Sequence, residues 1–175
     1  EALQDNENTE KSSKVLVAYY SATGNTKAAA ETIADAAGGE LFELQPAEAY
    51  TTEDLDYNDP ESRVCKEHED PDLQDVKLEE VTPESFSNAD VVFLGYPIWW
   101  GEAAWPVNEF VKENDFTGKT VIPFCTSASS SLGDSGENLA EMAGTGEWQE
   151  GKRFSSGAAE EEIRNWIGSL DLSAK

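Results

Sequence analysis

Val15-Leu16-Val17-Ala18-Tyr19-Tyr20, then Ser21-Ala22-Thr23-Gly24-Asn25-Thr26, then Lys27 to Ala37: these consecutive segments decide the fold class of this 175-residue chain. The first is a short apolar run without polar alternation, as expected of a strand buried on both faces. The last is Ala-rich, with Ala30, Ile33, Ala34 and Ala37 at helical spacing, and Gly38-Gly39 stops it. A buried strand that feeds a helix through a tight loop is the opening unit of an α/β sheet.

The alternation continues downstream. Leu41 to Leu44 reads as a second strand, and Asp90 to Gly95 as a third, apolar through its middle. Pro106 suits the first turn of a helix that carries Val107, Phe110 and Val111 on one face. Thr120 to Cys125 is a further strand in which Pro123 withdraws a ladder donor, so a bulge or one-sided pairing is expected there. Glu137 to Ala143 reads as a helix and Trp148 to Phe154 as a last strand. Ala159 to Leu170 is a helix with Ile163, Trp166, Ile167 and Leu170 as its apolar stripe. The expected architecture is a doubly wound parallel sheet with helices on both faces. Between about Gln45 and Asn88 the pattern breaks into an acidic, proline-containing excursion whose apolar clusters are too small for a core. A helix from near Thr52 and an extended stretch over Asp72 to Val81 are expected within it. Such a long excursion either covers or shapes a site, or is an insertion without chemistry.

Composition narrows the function. Twelve Lys+Arg face 36 Asp+Glu, a formal net charge of -24. This surface repels nucleic acid and anionic membranes, and it suits either solubility or docking with basic protein partners. Cys65 and Cys125 form no disulfide framework or metal spacing, and His68 is the single imidazole. No metal site is expected, and no apolar run is long enough for a membrane helix. His68, among Glu67, Glu69 and Asp70, is expected to be exposed, and Cys125 buried and inert. Residues 1–13 read as a disordered polar tail, or as a tether left by a removed signal peptide, ahead of one domain over 14–175. Cytoplasmic residence as a monomer is the expectation, with export or lipid tethering as the alternative.

Ser21 to Thr26 lies where ligands bind in open α/β sheets, at the carboxyl end of a strand. The hydroxyls of Ser21, Thr23 and Thr26 can donate to phosphate oxygens, and Gly24 permits close backbone approach. The first helix amides, from Asn25 onward, point the same way. The loop lacks a Gly-Lys-Ser/Thr ending and a Gly-x-Gly-x-x-Gly pattern. Hydroxyls and amides alone suit a monoester phosphate held without a metal, and the competing reading is an ordinary turn that caps a helix.

Ser-x-Thr-Gly-Asn-Thr after the first strand resembles the phosphate loop of the flavodoxins, and the likeness covers Lys14 to Leu170. It implies a five-stranded sheet of order 2-1-3-4-5, with flavin mononucleotide (FMN) at the switch between strands one and three. The loop after the third strand then holds the flavin ring. It contains Pro97-Ile98-Trp99-Trp100-Gly101, and so aromatic a loop needs either burial or a flat ligand. The resemblance implies Trp100 or Trp99 as the stacking residue and Gly101 as a peptide that flips. After the fourth strand, Thr126, Ser127, Ser131 and Gly133 are implied contacts to the pyrimidine edge or the ribityl chain. The Pro-Ile-Trp-Trp-Gly loop is also similar to that of a flavodoxin-like subfamily widespread in bacteria. Short-chain flavodoxins often place a Tyr in the loop after the fourth strand, and this chain does not. One ring face is therefore expected to be open, or covered by Tyr50, Tyr57 or a partner.

Three functions are carried forward. The leading one is an FMN electron carrier that docks with basic redox partners, its acidic surroundings disfavouring the second reduction step. The others are an NAD(P)H-dependent quinone, nitro or azo reductase on the same fold, and a non-redox module that binds a phosphate ligand.

Overall fold

Both faces of the opening strand are buried, and its side chains divide cleanly between two cores. The computed structural model describes residues 14–21, 24–48, 50–56, 58–74, 76–83, 86, 89–99, 102–127, 135–149, 151–155 and 160–169. In strand β1 (Val15–Tyr19), Val15, Val17 and Tyr19 face one core, while Leu16 and Ala18, with Tyr20 beyond the strand, face the other. Strands β3 (Val91–Trp99) and β5 (Thr120–Ser127) divide likewise, with Phe93, Ile122 and Phe124 on the first side and Leu94, Tyr96, Val121 and Cys125 on the second. This is why the sequence runs show no polar alternation.

Helices cover each face. Helix α1 (Asn25–Ala37) and helix α5 (Glu160–Ser169) lie on the first, where Ala30, Ile33, Ile163 and Ile167 are buried. Helix α3 (Pro106–Glu113) and helix α4 (Ser135–Ala143) lie on the second, with Val107, Phe110, Val111 and Leu139 buried. Strand β2 (Glu40–Glu43) pairs in parallel with β1, and β1, β3 and β5 pair in parallel in turn. The fifth position is shared by β6 (Glu147–Trp148) and β7 (Lys152–Ser155), both parallel to β5. Counted by sheet position, with β5 fourth and β6 and β7 together fifth, the strands therefore run 2-1-3-4-5, as expected.

Three elements differ from the sequence reading. First, the third strand does not stop at Gly95. Tyr96 and Pro97 continue in register with Cys125 and Thr126, and the strand then folds back on β4 (Glu102–Ala103), with Ile98 opposite Ala103 and Trp99 opposite Glu102. Second, the last strand is split. The Thr120 amide bonds towards β3 while the Val121 carbonyl accepts from Gln149, so odd positions of β5 serve the edge strand. Pro123 is such a position and offers no N–H. The edge strand accordingly breaks opposite it, and Gly151 passes so close that a Cβ there would stand 2.0 Å from the Pro123 carbonyl oxygen.

Third, the acidic excursion is ordered differently. Residues near Thr52 form turns rather than a helix, because side chains of Asp54, Asp56 and Asp59 accept from nearby backbone amides and compete with helical bonding. The helix comes later, as α2 (Arg63–Glu69), capped by the Ser62 hydroxyl accepting from the Cys65 amide. Pro71–Gln74 form a 3-10 turn, not extended chain. Residues 77–79 then run antiparallel to 45–47, through Ala47 N–H to Lys77 O and Glu79 N–H to Gln45 O, both 2.8 Å. The small apolar clusters do find a place, since Val64, Cys65 and Val76 pack on Trp105. Tyr57 and the 1–13 tail lie outside the described residues.

Gly151→Ala drives a methyl into backbone that side-chain motion cannot relieve. A loss of about 1–3 kcal/mol is expected, read as a lower denaturant midpoint at unchanged slope. An unshifted midpoint would show that the edge strand does not press on Pro123.

Candidate functional site

The carboxyl ends of β1, β3 and β5 converge on a small polar centre. Gly24 adopts φ +99, a left-handed conformation that suits glycine, and turns the chain from β1 into α1. Its amide donates to the Ser21 hydroxyl at 3.0 Å. Among the described residues no side chain caps α1, and its first intrahelical bond runs from the Ala28 amide to the Gly24 carbonyl, which leaves the amides of the first turn facing the loop.

Thr26, in that first turn, is 1% exposed, and Thr126, near the end of β5, is 4% exposed. Their hydroxyl oxygens stand 2.7 Å apart although 100 residues separate them. One hydroxyl donates to the other, and the hydrogen of the accepting one has no partner among the described residues. A buried donor of this kind suits an anionic oxygen at the loop mouth. Pro97 lies in register with Thr126, so the third-strand segment abuts the same point. The structure thus brings together Ser21, Gly24, Thr26, Pro97 and Thr126. Asn25 opens α1 and Ser127 closes β5. Thr23, Trp100, Gly101, Ser131 and Gly133 lie outside the described residues. A phosphate monoester fits this donor set, whereas no group of His, Cys, Asp and Glu among the described residues could hold a metal.

Beyond Pro97, Ile98 and Trp99 are half-buried. Trp99 packs edge-on against Trp105 (4.9 Å between centroids), Tyr50 (5.7 Å) and Tyr20 (5.8 Å). Trp105 is 1% exposed, a core residue. Beneath these rings lies a carboxylate that sequence reasoning did not single out. Glu67 is 6% exposed; its Oε1 accepts from the Tyr50 hydroxyl (2.5 Å) and from Trp105 Nε1–H (2.7 Å). Its Oε2 accepts from Arg63 Nε–H at 2.9 Å. Arg63 also donates to the Glu48 carbonyl and lies 3.8 Å over the Tyr50 ring. The signal available in the sequence was the i, i+4 pair Arg63 and Glu67 on a Ser-capped helix. Burial, and then the bond to Glu67, hold the Tyr50 phenol far above its usual range, so it remains a donor.

Cys125 is fully buried, and burial pushes its thiol up to about 12, partly offset by Arg153. That burial is as expected. His68 is exposed, as expected, and also stacks on Trp105 at an interplanar angle of 14°.

A family model described as flavodoxin matches residues 14–170, and the chain belongs to that family. A crystal structure from Bacteroides eggerthii, provisionally described as a flavoprotein, is 40% identical and covers 93% of this chain and 99% of its own, with a TM-score of 0.81. Another, from Bacteroides uniformis, is 39% identical over 90% of this chain and 99% of its own, with a TM-score of 0.83 and the same provisional description. A Lactobacillus acidophilus flavoprotein solved in complex with FMN shares the fold at 21% identity, covering 88% of this chain and 98% of its own, with a TM-score of 0.58. No curated protein matches the chain.

Two outcomes are expected. Glu67→Ala strands the Arg63 charge and the Trp105 and Tyr50 donors, a loss of about 3 kcal/mol in urea unfolding; a loss under about 1 kcal/mol would mean the carboxylate is effectively solvated. In a Cys65→Ser background, Cys125 resists a disulfide reagent at pH 8 in the native state and reacts once the chain unfolds. Native-state labelling within minutes contradicts this.

Proposed function

We propose that this flavodoxin-family chain binds FMN and works as an electron carrier between proteins, not as an enzyme with its own small-molecule substrate. The observation that carries the reading is the buried Thr26–Thr126 hydroxyl pair, which ties the phosphate loop to the end of β5 and leaves a donor for an anion. Bound FMN would supply the redox chemistry. Ser21, Thr23, Gly24, Asn25 and Thr26 hold its phosphate through hydroxyls and helix amides, without a metal. Pro97, Ile98, Trp99, Trp100 and Gly101 take the ring on one side, with Trp100 or Trp99 stacking. Thr126, Ser127, Ser131 and Gly133 take the ribityl chain and the pyrimidine edge. Tyr20, Tyr50 and Trp105 back Trp99 with apolar surface and keep water from that side.

The chain's charge sets direction and partner. A net charge of -24 disfavours a further negative charge on the bound group, so the second reduction step falls at low potential. The same field draws basic redox proteins and speeds their encounter. It also weighs against the reductase reading. The cleft beside the phosphate loop carries Glu43 and Glu79 and, among the described residues that line it, no Lys or Arg, a poor seat for dinucleotide phosphates. The described helices include none long and apolar enough to cross a membrane.

Freshly purified protein is expected to show oxidised-flavin absorbance, or to acquire it on adding FMN. Thr26→Val and Thr126→Val should each weaken FMN binding by about tenfold. A chain that stays colourless with added FMN ends the proposal. Rapid steady-state oxidation of NAD(P)H with a quinone acceptor ends the carrier role and leaves FMN binding standing.

A further inference from the structure

A second concave site lies beside the phosphate loop. A half-open cleft of about 350 Å³ separates the end of β2 from Tyr20 and Tyr50, and among the described residues of the loop it touches Ser21. Its size is that of a small-molecule pocket. The short ladder between residues 45–47 and 77–79 fixes its outer wall. Leu44 is buried at its base, while Glu43 and Glu79 stand exposed at its rim. The Glu43 carboxylate already accepts a long bond, 3.5 Å, from Gln45 Nε2.

Tyr20 distinguishes this cleft from an acidic surface patch. The residue is 4% exposed, yet its hydroxyl has no hydrogen-bond partner among the described residues. Most buried hydroxyls are bonded, and an orphan one costs stability unless something fills the vacancy. Burial raises the Tyr20 phenol far above its usual range, so it stays a neutral hydroxyl able to donate or accept. Tyr50 cannot serve in its place, because its hydroxyl is committed to Glu67.

We propose that this cleft binds a small organic cation: an amidinium, guanidinium or protonated amine on a flat or aliphatic body. The body lies against Leu44 and the edges of the Tyr20 and Tyr50 rings, one face of Tyr50 being already taken by Arg63. The Tyr20 oxygen accepts from the ligand's N–H, and Glu43 and Glu79 balance its charge. The inference goes beyond the FMN reading and does not depend on it.

The test is isothermal titration of the full chain, with FMN added, at about 0.1 M salt, where attraction beyond about 10 Å is screened. Benzamidine is the probe; neutral benzamide and anionic benzoate are its controls. Benzamidine is expected to saturate a single site per chain, benzamide to bind at least about tenfold more weakly, and benzoate not at all. The double variant Glu43→Gln, Glu79→Gln should weaken benzamidine by about tenfold. Glu161→Gln with Glu162→Gln, exposed on α5 and equal in charge change, should leave it unaltered. Tyr20→Phe should weaken it at least about threefold while melting no lower than the parent, since the hydroxyl it removes has no partner among the described residues. Absence of saturable binding overturns the proposal. Equal losses in the two double variants do the same, because benzamidine would then merely report the acidic surface. Unchanged affinity, or a clearly lower melting temperature, in Tyr20→Phe removes the hydroxyl's role and with it the built site.

Discussion

Burial of β1, β3 and β5 on both faces is the constraint from which the rest of this molecule follows. A strand between two layers of helices has no face left for polar side chains, so polar chemistry gathers at its ends. Here three strand ends gather it within one small region. Thr26 and Thr126 meet there, and Pro97 comes into register beside them. The hydroxyl pair is buried because the strands that deliver it are buried, and it stays polar beside the first-turn amides of α1.

The acidic segment obeys a different rule. Its apolar residues are few, and a surface insertion of that composition has little to hold it down. It is held by a charge as well as by the packing of Val64, Cys65 and Val76 on Trp105. Glu67 reaches into the aromatic layer and gathers Tyr50, Trp105 and Arg63 around one carboxylate. Tyr50 is thereby kept against Trp99, so a residue of the segment becomes part of the wall next to the third-strand loop. An ion pair in this position is costly to desolvate, and it persists because both carboxylate oxygens are bonded.

The sequence made the layers legible because two-sided burial writes itself as unbroken apolar runs and helical stripes write themselves at 3.6-residue spacing. Ser21 to Thr26 was legible because its place between such a run and such a stripe is as informative as its letters. The extension of β3 to Trp99 was not. Gly95 and Pro97 look like loop residues, and only pairing with Cys125 and Thr126 makes them strand. Nor was the start of α2 at Arg63, since several Asp residues upstream offer the backbone equally good local bonds. Glu67 was hidden for a plainer reason. A glutamate in an acidic segment resembles its neighbours until tertiary structure supplies its partners, and the same is true of the orphan hydroxyl of Tyr20.

Pro123 has an effect that reaches outside the molecule. By withholding a donor it cuts the border strand into segments of two and four residues, with Gly151 wedged between them. A long, straight border would offer a row of free amides and carbonyls on which a neighbouring chain could build. An interrupted one offers little length in register. The proline that looked like a flaw in the sheet therefore works as a guard against edge-to-edge aggregation on that side, alongside the mutual repulsion of so acidic a protein.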